Sequence, residues 1–337
     1  MSLSPDGRQK ERAMHIDRRT ALGLGAAGAA VLAFPQIMVR AAQADVPKPD
    51  VGNPGFNRFT LGEFEVTTIL DGLRPGEGPH PVFGQNQPAE TVAALMQANL
   101  LPADRMVNGF TPTLVNTGAE LILFDTGLGA GGRENGLGQL AARLAASGYK
   151  PEDVSIVVVT HMHGDHIGGL MENGAPAFAN ARYVMGQAEF DFWTAPERMS
   201  GPTEGNAKAV AANVKPLAEK ATFVGDGGEV VPGIRAVAAF GHTPGHLIFR
   251  LDSSGKSLVL TADTANHYVA SLQQPDWHVR FDADKDMAAA TRRKVFDMIA
   301  TDRLPFIGYH MPFPAVGYVE KIDTGYRYVP ETYQLEL

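Results

Sequence analysis

Cysteine is absent from this chain of 337 residues. Its absence excludes disulfide frameworks, thiolate metal sites and cysteine nucleophiles. Any transition metal must therefore be held by nitrogen and oxygen ligands, which histidine and carboxylate side chains supply. The chain has only ten histidines, so a cluster of them would be informative.

Basic residues are also scarce, and no cluster of them occurs after the first few dozen residues. Lys and Arg total 29 against 37 Asp and Glu, a formal net charge of −8. Residues 1–44 hold six of the basic and three of the acidic residues, so the rest of the chain has 23 against 34, or −11. Nucleic-acid binding depends on basic surfaces that neutralise phosphates. We therefore expect a small-molecule partner and no nucleic acid.

No hydrophobic run is long enough to predict a stable membrane anchor. The most apolar stretch, 21–34, has fourteen residues and is rich in Ala and Gly. It follows Arg18-Arg19 and precedes the small-residue pattern Ala42-Gln43-Ala44, so it resembles a twin-arginine export signal.

This resemblance predicts cleavage near Ala44 and a periplasmic protein, with Met1 or Met14 as the start. Residues 45–56, which are rich in Pro and Gly, would then be a linker, and residues 57–337 a single domain.

Three histidines and an aspartate lie within six positions in the middle of the chain. They belong to the sequence THMHGDH at 160–166, which follows the β-branched run IVVV at 156–159. That run predicts a buried strand. In an extended segment, side chains at i and i+2 share a face, so His161 and His163 can point to one place. The pattern predicts a metal site.

A glycine-rich segment, DTGLGAGG at 125–132, permits a different interpretation. Gly127, Gly129 and Gly132 have the spacing G-x-G-x-x-G, between a predicted strand and a predicted helix. Such a turn can bind a dinucleotide, with an acid such as Glu152 further along the chain. An isolated match is weak, so we favour a glycine loop beside a site built elsewhere.

Predicted strands occur in two groups, each mixed with helices. The longest helical pattern is 285–303, and residues 71–88 contain so many Gly and Pro that they predict a loop over a cleft. Two sheets packed together, with helices outside, are the expected α/β architecture.

Three further candidate ligands lie at the ends of predicted strands in the second half. They are His246 in GHTPGH (241–246), Asp263 in LTAD (260–263) and His310 in GYH (308–310). Together with the central cluster they resemble the metallo-β-lactamase superfamily pattern HxHxDH…H…D…H. The sequence FDTG at 124–127 also matches the first motif of that superfamily.

The resemblance implies an αββα sandwich with a dinuclear metal site at one edge. It implies seven ligands in two positions: His161, His163 and His246 in one, Asp165, His166 and His310 in the other, and Asp263 bridging both. Asp125 and Thr160 would orient ligands, and His242 would support the loop of His246. Zinc is the expected metal, with manganese, cobalt or iron as alternatives.

The implied chemistry is hydrolysis by a hydroxide shared between two metals, which attacks a carbonyl carbon or a phosphorus atom. Asp165 would orient that hydroxide and move its proton.

Several stretches resemble the methyl parathion hydrolases and the exported lactonases or arylesterases. They include AEFDFW at 188–193 and HMPFP at 310–314. This resemblance implies a homodimer and an aromatic substrate pocket near Phe192 and Trp193. Ordinary core packing is the alternative for these two rings.

One departure concerns the acyl-homoserine lactonases, which carry a tyrosine three residues after the bridging aspartate. Asn266 occupies that position here, and His267 or Tyr268 could replace the tyrosine. We expect Asn266 and His267 to belong to the substrate pocket. The expected substrates are lactones or aryl and alkyl esters, with organophosphate triesters as side substrates.

Other activities of the same scaffold stay open at this point. A β-lactamase and a glyoxalase II-like thioesterase would use the same two metals. A persulfide dioxygenase-like oxidoreductase would hold a single iron, so a metal count separates it from the hydrolases.

Overall fold

The buried strand predicted at 156–159 is central in a seven-stranded sheet. The computed structural model describes residues 54–332. With strands numbered in chain order, the first sheet contains Phe56–Leu61 (β1), Phe64–Ile69 (β2), Thr113–Asn116 (β5), Leu121–Phe124 (β6), Ile156–Val159 (β7), Arg182–Gly186 (β10) and Ala221–Val224 (β11). The spatial order is β1-β2-β5-β6-β7-β10-β11. The last four strands are parallel, and the other neighbours are antiparallel.

The second sheet also has seven strands and follows chain order. They are Glu229–Val231 (β12), Ile234–Ala238 (β13), Leu247–Ser253 (β14), Lys256–Ala262 (β15), Phe306–Gly308 (β16), Val316–Lys321 (β17) and Tyr326–Pro330 (β18). Its one parallel pair is β15 with β16. The two strands of that pair are connected through a long crossover that contains the longest helix.

Two short antiparallel ribbons lie outside the sheets. One pairs Gly72–Glu77 (β3) with Arg105–Phe110 (β4), and the other pairs Met171–Glu172 (β8) with Ala175–Pro176 (β9). The loop predicted at 71–88 is therefore wrong over β3. Its Gly and Pro content gives no strand signal, but a two-stranded ribbon tolerates Pro75 because both of its strands are edge strands.

The helices connect the strands on the outer faces of the sheets. They are Ala89–Ala98 (α1), Leu140–Ala146 (α2), Gly164–Ile167 (α3), Gln187–Thr194 (α4), Glu204–Asn213 (α5), Ala270–Gln273 (α6) and Lys285–Asp302 (α7). Short 3-10 helices occupy Gly129–Asn135, Pro151–Asp153, Pro196–Met199, Gly201–Thr203 and Lys215–Lys220. α7 begins where the sequence predicts, with the Asp284 carboxylate accepting a hydrogen bond from the N–H of Met287 (2.9 Å).

The hydrophobic core lies in layers. Val158 packs between the sheets with Phe249 and Leu260, whereas its neighbours Val157 and Val159 pack on the outer face of the first sheet. The strand β7 is thus buried on both faces, which explains its unbroken apolar sequence. The predicted α/β sandwich of two mixed sheets with helices outside is confirmed.

The predicted export signal, residues 1–44, lies outside the described residues, and so does most of the predicted linker. Residues 54–332 all belong to one compact unit. Within them, no helix is both long and apolar enough to cross a membrane.

Candidate metal centre

The candidate ligands meet at one edge of the molecule because the strands before them end there. Asp125 follows β6, and residues 160–166 follow the neighbouring parallel strand β7. Asp263 follows β15, and His310 lies just beyond the parallel strand β16. The carboxyl ends of parallel strands share an edge, where sites of α/β proteins commonly form. Loops of both sheets thus contribute side chains to one site.

Four side chains form a first ligand group whose ligating atoms all lie within 4.8 Å of one another: His161, His163, His242 and Asp263. Nδ1 of His163 is 3.2 Å from Nε2 of His161 and 3.0 Å from Nε2 of His242. Nε2 of His242 is also 3.2 Å from Oδ2 of Asp263. Three imidazole nitrogens and a carboxylate oxygen around one point suit zinc or a neighbouring first-row metal.

A second group contains Asp165, His166 and His310. Oδ2 of Asp165 is 3.7 Å from Nε2 of His166 and 3.5 Å from Nε2 of His310. Asp263 also reaches this group, since its Oδ1 is 3.2 Å from Nε2 of His166 and its Oδ2 is 3.2 Å from Nε2 of His310. The Asp263 carboxylate therefore lies between the two groups, where a bridging ligand would be.

Two buried polar atoms of the site have no hydrogen-bond partner within the protein. They are Nε2 of His166 and Oδ1 of Asp263, which lie 3.2 Å from each other but do not form a hydrogen bond. An unsatisfied buried polar group costs about 1–3 kcal/mol, so native proteins rarely keep one without a ligand. Coordination to a cation would satisfy both atoms. The residues present thus fit two divalent metal ions.

Asp125 orients His166, a member of the second ligand group, from the side of the ring that faces away from the site. Its Oδ2 is 2.8 Å from Nδ1 of His166, so Nε2 of that ring faces the site. The other contacts of the carboxylate are the N–H of Thr160 at 2.9 Å and the Thr160 hydroxyl at 2.8 Å. The hydroxyl also lies 3.1 Å from Nδ1 of His161. Asp125 and Thr160 are therefore placed to orient His166 and His161, as the resemblance implies.

His242 and His246 have exchanged the positions that the sequence led us to expect. His242 belongs to the first ligand group, whereas Nε2 of His246 accepts a hydrogen bond from the N–H of Asp263 (3.1 Å). His246 directly precedes β14, and its Nδ1 bonds to the Ala239 carbonyl at 3.0 Å, so its ring lies beneath the Asp263 backbone. The expectation of His246 as a ligand and His242 as a support is corrected accordingly.

Burial and charge divide the histidines of the site into two kinds. Burial, followed by the positive charge of His242, lowers the pKa of both His163 and His246 to about 3. Burial also lowers the pKa of His242, but the carboxylates of Asp263 and Asp282 outweigh it and raise the pKa to about 9. A proton on His242 must leave when a cation binds, so protons compete with metal at this position.

Glu189 is a buried carboxylate that sequence reasoning missed. It accepts hydrogen bonds from the N–H groups of Met162 (2.9 Å) and Gly245 (2.8 Å), and from the Trp193 indole (2.8 Å). It thus ties the loop of His161 and His163 to the loop of His242. This glutamate lies in the stretch AEFDFW at 188–193, but the sequence assigned a role only to the two aromatic rings at its end.

The glycine-rich loop binds a carboxylate of the protein itself. Asp71, fully buried, accepts hydrogen bonds from the N–H groups of Leu128 (3.0 Å), Gly138 (3.1 Å) and Leu140 (3.0 Å). A Cβ at Gly127 would overlap the Asp71 side chain. Within the G-x-G-x-x-G segment the N–H of Leu128 is therefore already used, and the space beside Gly127 is filled by Asp71, so the structure does not support the dinucleotide hypothesis.

The structure brings Asn266 and His267, but not Phe192 and Trp193, to the cavities beside the centre. Trp193 is buried against Glu189 and its own helix, with its ring 6.0 Å from that of His163. Phe192 packs under the Arg198 guanidinium, 4.1 Å from the ring centroid. Core packing, the alternative for these two rings, agrees with these contacts, and an aromatic substrate pocket at Phe192 and Trp193 stays a prediction.

Two cavities adjoin the centre. One, of about 630 Å³, contains Asp165 and Asp263. The other, of about 780 Å³, is lined mainly by apolar side chains such as Phe313. Asn266 and His310 line both, so an apolar group in the larger cavity would lie beside the candidate ligands.

The model of the metallo-beta-lactamase superfamily matches residues 111–298, which is more than half of the chain. The chain therefore belongs to the metallo-beta-lactamase superfamily. The matched stretch includes the candidate ligands except His310.

Curated relatives are N-acyl homoserine lactonases of Bacillus. That of Bacillus cereus is 27% identical over 147 residues, 44% of this chain and 52% of the relative. That of Bacillus thuringiensis is 31% identical over 120 residues, 35% of this chain and 41% of the relative. The match thus spans about half the length of these relatives or less.

Solved structures resemble most of the chain. AidC, a dizinc quorum-quenching lactonase in complex with a product, is 26% identical with a TM-score of 0.76, covering 83% of this chain and 99% of its own. The hydrolase AbOPH of the beta lactamase superfamily is 25% identical with a TM-score of 0.77, covering 84% of this chain and 100% of its own.

Proposed function

We propose that the protein is a metal-dependent hydrolase that opens lactones, with two divalent cations held by the two ligand groups. The observation that carries the proposal is Asp263, whose two oxygens face the two groups and whose Oδ1 lacks a partner within the protein. The lactonases among the relatives, and the product-bound dizinc neighbour, support the choice of substrate.

The metal positions follow from the ligand groups. His161, His163 and His242 would hold one ion, Asp165, His166 and His310 the other, and Asp263 both. Ions at such a centre polarise a carbonyl oxygen and supply a nucleophilic water near neutral pH. We propose zinc as the metal, since nitrogen and carboxylate ligands suit it.

Asp165 is the group placed to move the proton. Its side chain is 22% exposed, whereas the side chains of His166 and Asp263 are almost fully buried, so it can contact both a water molecule and a substrate. Its carboxylate lies within 3.7 Å of two candidate ligands. We assign it to take the proton of the attacking water and deliver it to the leaving alkoxide.

The larger cavity is suited to the apolar part of the substrate. Its volume of about 780 Å³ and its apolar lining fit an acyl chain, while its shared wall with the metal cavity places a carbonyl group near the ligands. Esters with an apolar acyl group present the same carbonyl carbon. We therefore propose esters, and then organophosphate triesters, as slower substrates.

The test is a substrate panel on protein loaded with two equivalents of zinc. The panel contains a short-chain and a long-chain acyl homoserine lactone, an aryl ester, a paraoxon-type triester, a thioester and a cephalosporin. We expect the highest kcat/KM for a lactone and loss of all activity in Asp165→Asn. A preference for the cephalosporin or the thioester, or no turnover of the lactones, would refute the proposal.

A metal count separates hydrolysis from oxidation. Two zinc, manganese or cobalt ions per chain agree with hydrolysis. A single iron per chain would contradict it and favour the persulfide dioxygenase-like alternative.

We also propose that the protein is exported after cleavage near Ala44, because Arg18-Arg19 and the apolar run precede a small-residue pattern. Intact mass of the protein from a periplasmic fraction tests this. An uncleaved chain found only in the cytoplasm would contradict it. The homodimer stays a prediction, which sedimentation of the purified protein can check.

A further inference from the structure

A fully buried arginine on α7 donates hydrogen bonds from all three nitrogens of its guanidinium. Nε of Arg292 donates to the Thr264 carbonyl (2.9 Å), and Nη1 donates to the carbonyls of Pro275 (2.8 Å) and Trp277 (3.3 Å). Nη2 donates to Oδ2 of Asp282 at 2.9 Å. Arg292 has no exposed surface, and Asp282 is 4% exposed. A buried ion pair seldom adds net stability over apolar residues of the same size, so another role is expected.

The second oxygen of Asp282 contacts a candidate metal ligand. Its Oδ1 is 2.9 Å from Nδ1 of His242, whose Nε2 faces the first ligand group. A carboxylate that accepts the proton of Nδ1 leaves the lone pair of Nε2 free for a cation. Because Arg292 holds the other oxygen, the carboxylate cannot turn away from His242.

Hydrogen bonds from the residues after Asp282, and from Arg292, also hold the backbone of the two ligand loops. The N–H of Ala283 donates to the His242 carbonyl at 3.0 Å, and the N–H of Asp284 donates to the Gly241 carbonyl at 2.9 Å. The carbonyl of Thr264, the residue after the bridging candidate Asp263, accepts the hydrogen bond from Nε of Arg292. One arginine is thus connected to the loops of two candidate ligands.

We propose that Asp282 and Arg292 are positioning residues that fix the tautomer and direction of His242, and thereby set the metal affinity of the first ligand group. The inference rests on the proposed function only in taking the two ligand groups as metal positions.

The test measures zinc affinity by competition with a chelator, without any substrate. In Asp282→Asn we expect one of the two zinc ions to bind 10- to 100-fold more weakly, the range typical for loss of a partner behind a metal-bound histidine. The matched control is Asp276→Asn. Asp276 pairs with Arg293, the next residue of α7, but this pair is exposed and contacts no candidate ligand.

Affinity within twofold of the wild type in Asp282→Asn would overturn the inference. So would equal weakening in the Asp276→Asn control. If Asp282→Asn does not fold, Arg292→Lys takes its place, because it keeps the charge but cannot make all four hydrogen bonds. Weaker binding of one zinc ion supports the inference, and wild-type binding overturns it.

A second measurement, of the tautomer of His242, would not be affected if Asp282 and Arg292 only stabilised the fold. Nitrogen NMR of the metal-free protein, recorded above the His242 pKa of about 9 so that the ring is neutral, reports which ring nitrogen carries the remaining proton. We expect Nδ1–H in the wild type and in Asp276→Asn, and a mixture of tautomers in Asp282→Asn. An unchanged tautomer contradicts the inference. Failure of lactone hydrolysis in a protein that binds two ions would refute the proposed function and leave this result intact.

Discussion

Two neighbouring loops at the edge of the first sheet both look functional in the sequence, yet the structure uses them in opposite ways. The loop at 125–138 follows β6, and the loop at 160–166 follows β7. In the first, the N–H groups of Leu128 and Gly138 are bonded to Asp71. In the second, Nε2 of His166 is buried without a partner. Unsatisfied polar atoms, rather than an unusual composition, distinguish a ligand-binding loop from a structural one.

The comparison is tested most strongly by changes in the histidine-rich loop. We expect His161→Ala and Asp165→Asn to lower lactone hydrolysis by more than about a thousandfold, because loss of a metal ligand removes several kcal/mol of transition-state stabilisation. Melting temperature should change little in the metal-free protein. Steady-state kinetics, zinc content and thermal unfolding check this. The control is His278→Ala. This variant should keep full activity, because His278 pairs with Asp286 at the surface.

Hydrolysis at wild-type rates in either variant would remove the metal mechanism. It would also mean that the loop at 160–166 binds no ligand needed for activity, and so does not differ in function from the loop at 125–138.

In the glycine-rich loop we expect the effect to fall on stability. Asp71→Ala leaves the N–H groups of Leu128, Gly138 and Leu140 without their acceptor, and each unsatisfied group costs about 1–3 kcal/mol. A loss of roughly 3–5 kcal/mol in the free energy of unfolding is expected, because water can reach the partly exposed Leu128. Urea unfolding measures it, and Asp71→Asn, which keeps one acceptor oxygen, should lose less. An unchanged free energy in Asp71→Ala would show that the loop does not depend on this carboxylate.

The sequence predicts the parts of the site that lie close together in the chain or directly after strands. Residues 160–166, Asp125, Asp263 and His310 are of this kind, because a strand end fixes where the next residue lies. The sequence also predicts the two-sheet architecture, because the predicted strands occur in two groups along the chain.

What the sequence does not predict depends on tertiary contacts. His242 and His246 lie four residues apart in one motif, and only the path of the loop, held by residues 282–284 just before α7, decides which ring faces the ligands. Asp71 and Arg292 are single polar residues without a motif, and Glu189 lies in AEFDFW without a role assigned from the sequence. Their roles follow from burial against backbone groups that are distant in the chain.

The glycines themselves offer a smaller test. Gly129 and Gly136 both have positive φ, 58° and 74°, but only at Gly129 would a Cβ overlap other atoms, namely the Gly168 carbonyl of the histidine-rich segment. Gly136→Ala should cost about 1 kcal/mol through backbone strain alone. Gly129→Ala should cost about 1–2 kcal/mol more because the two loops must move apart. Thermal unfolding of both variants measures the difference, and equal losses would mean that the loops are not packed closely.

The smallest effect concerns a histidine that behaves like Asp71 rather than like a ligand. Nδ1 of His267 accepts hydrogen bonds from the N–H groups of Val269 (3.0 Å) and Ala270 (3.1 Å), and burial lowers its pKa to about 4. The unfolded chain, with an ordinary histidine pKa near 6.5, therefore takes up this proton first as pH falls. The contribution of neutral His267 to stability is complete above about pH 6.5 and is lost as pH falls toward 4. Since the ring is partly exposed, we expect a contribution of about 1–2 kcal/mol to the free energy of unfolding, less than the full pKa shift would give.

Urea unfolding at pH 7 and pH 5 should show a smaller pH dependence in His267→Asn than in the wild type. Equal pH dependence in the two proteins would mean that the pKa of His267 is the same in the folded and unfolded states, and that Nδ1 does not depend on these two hydrogen bonds.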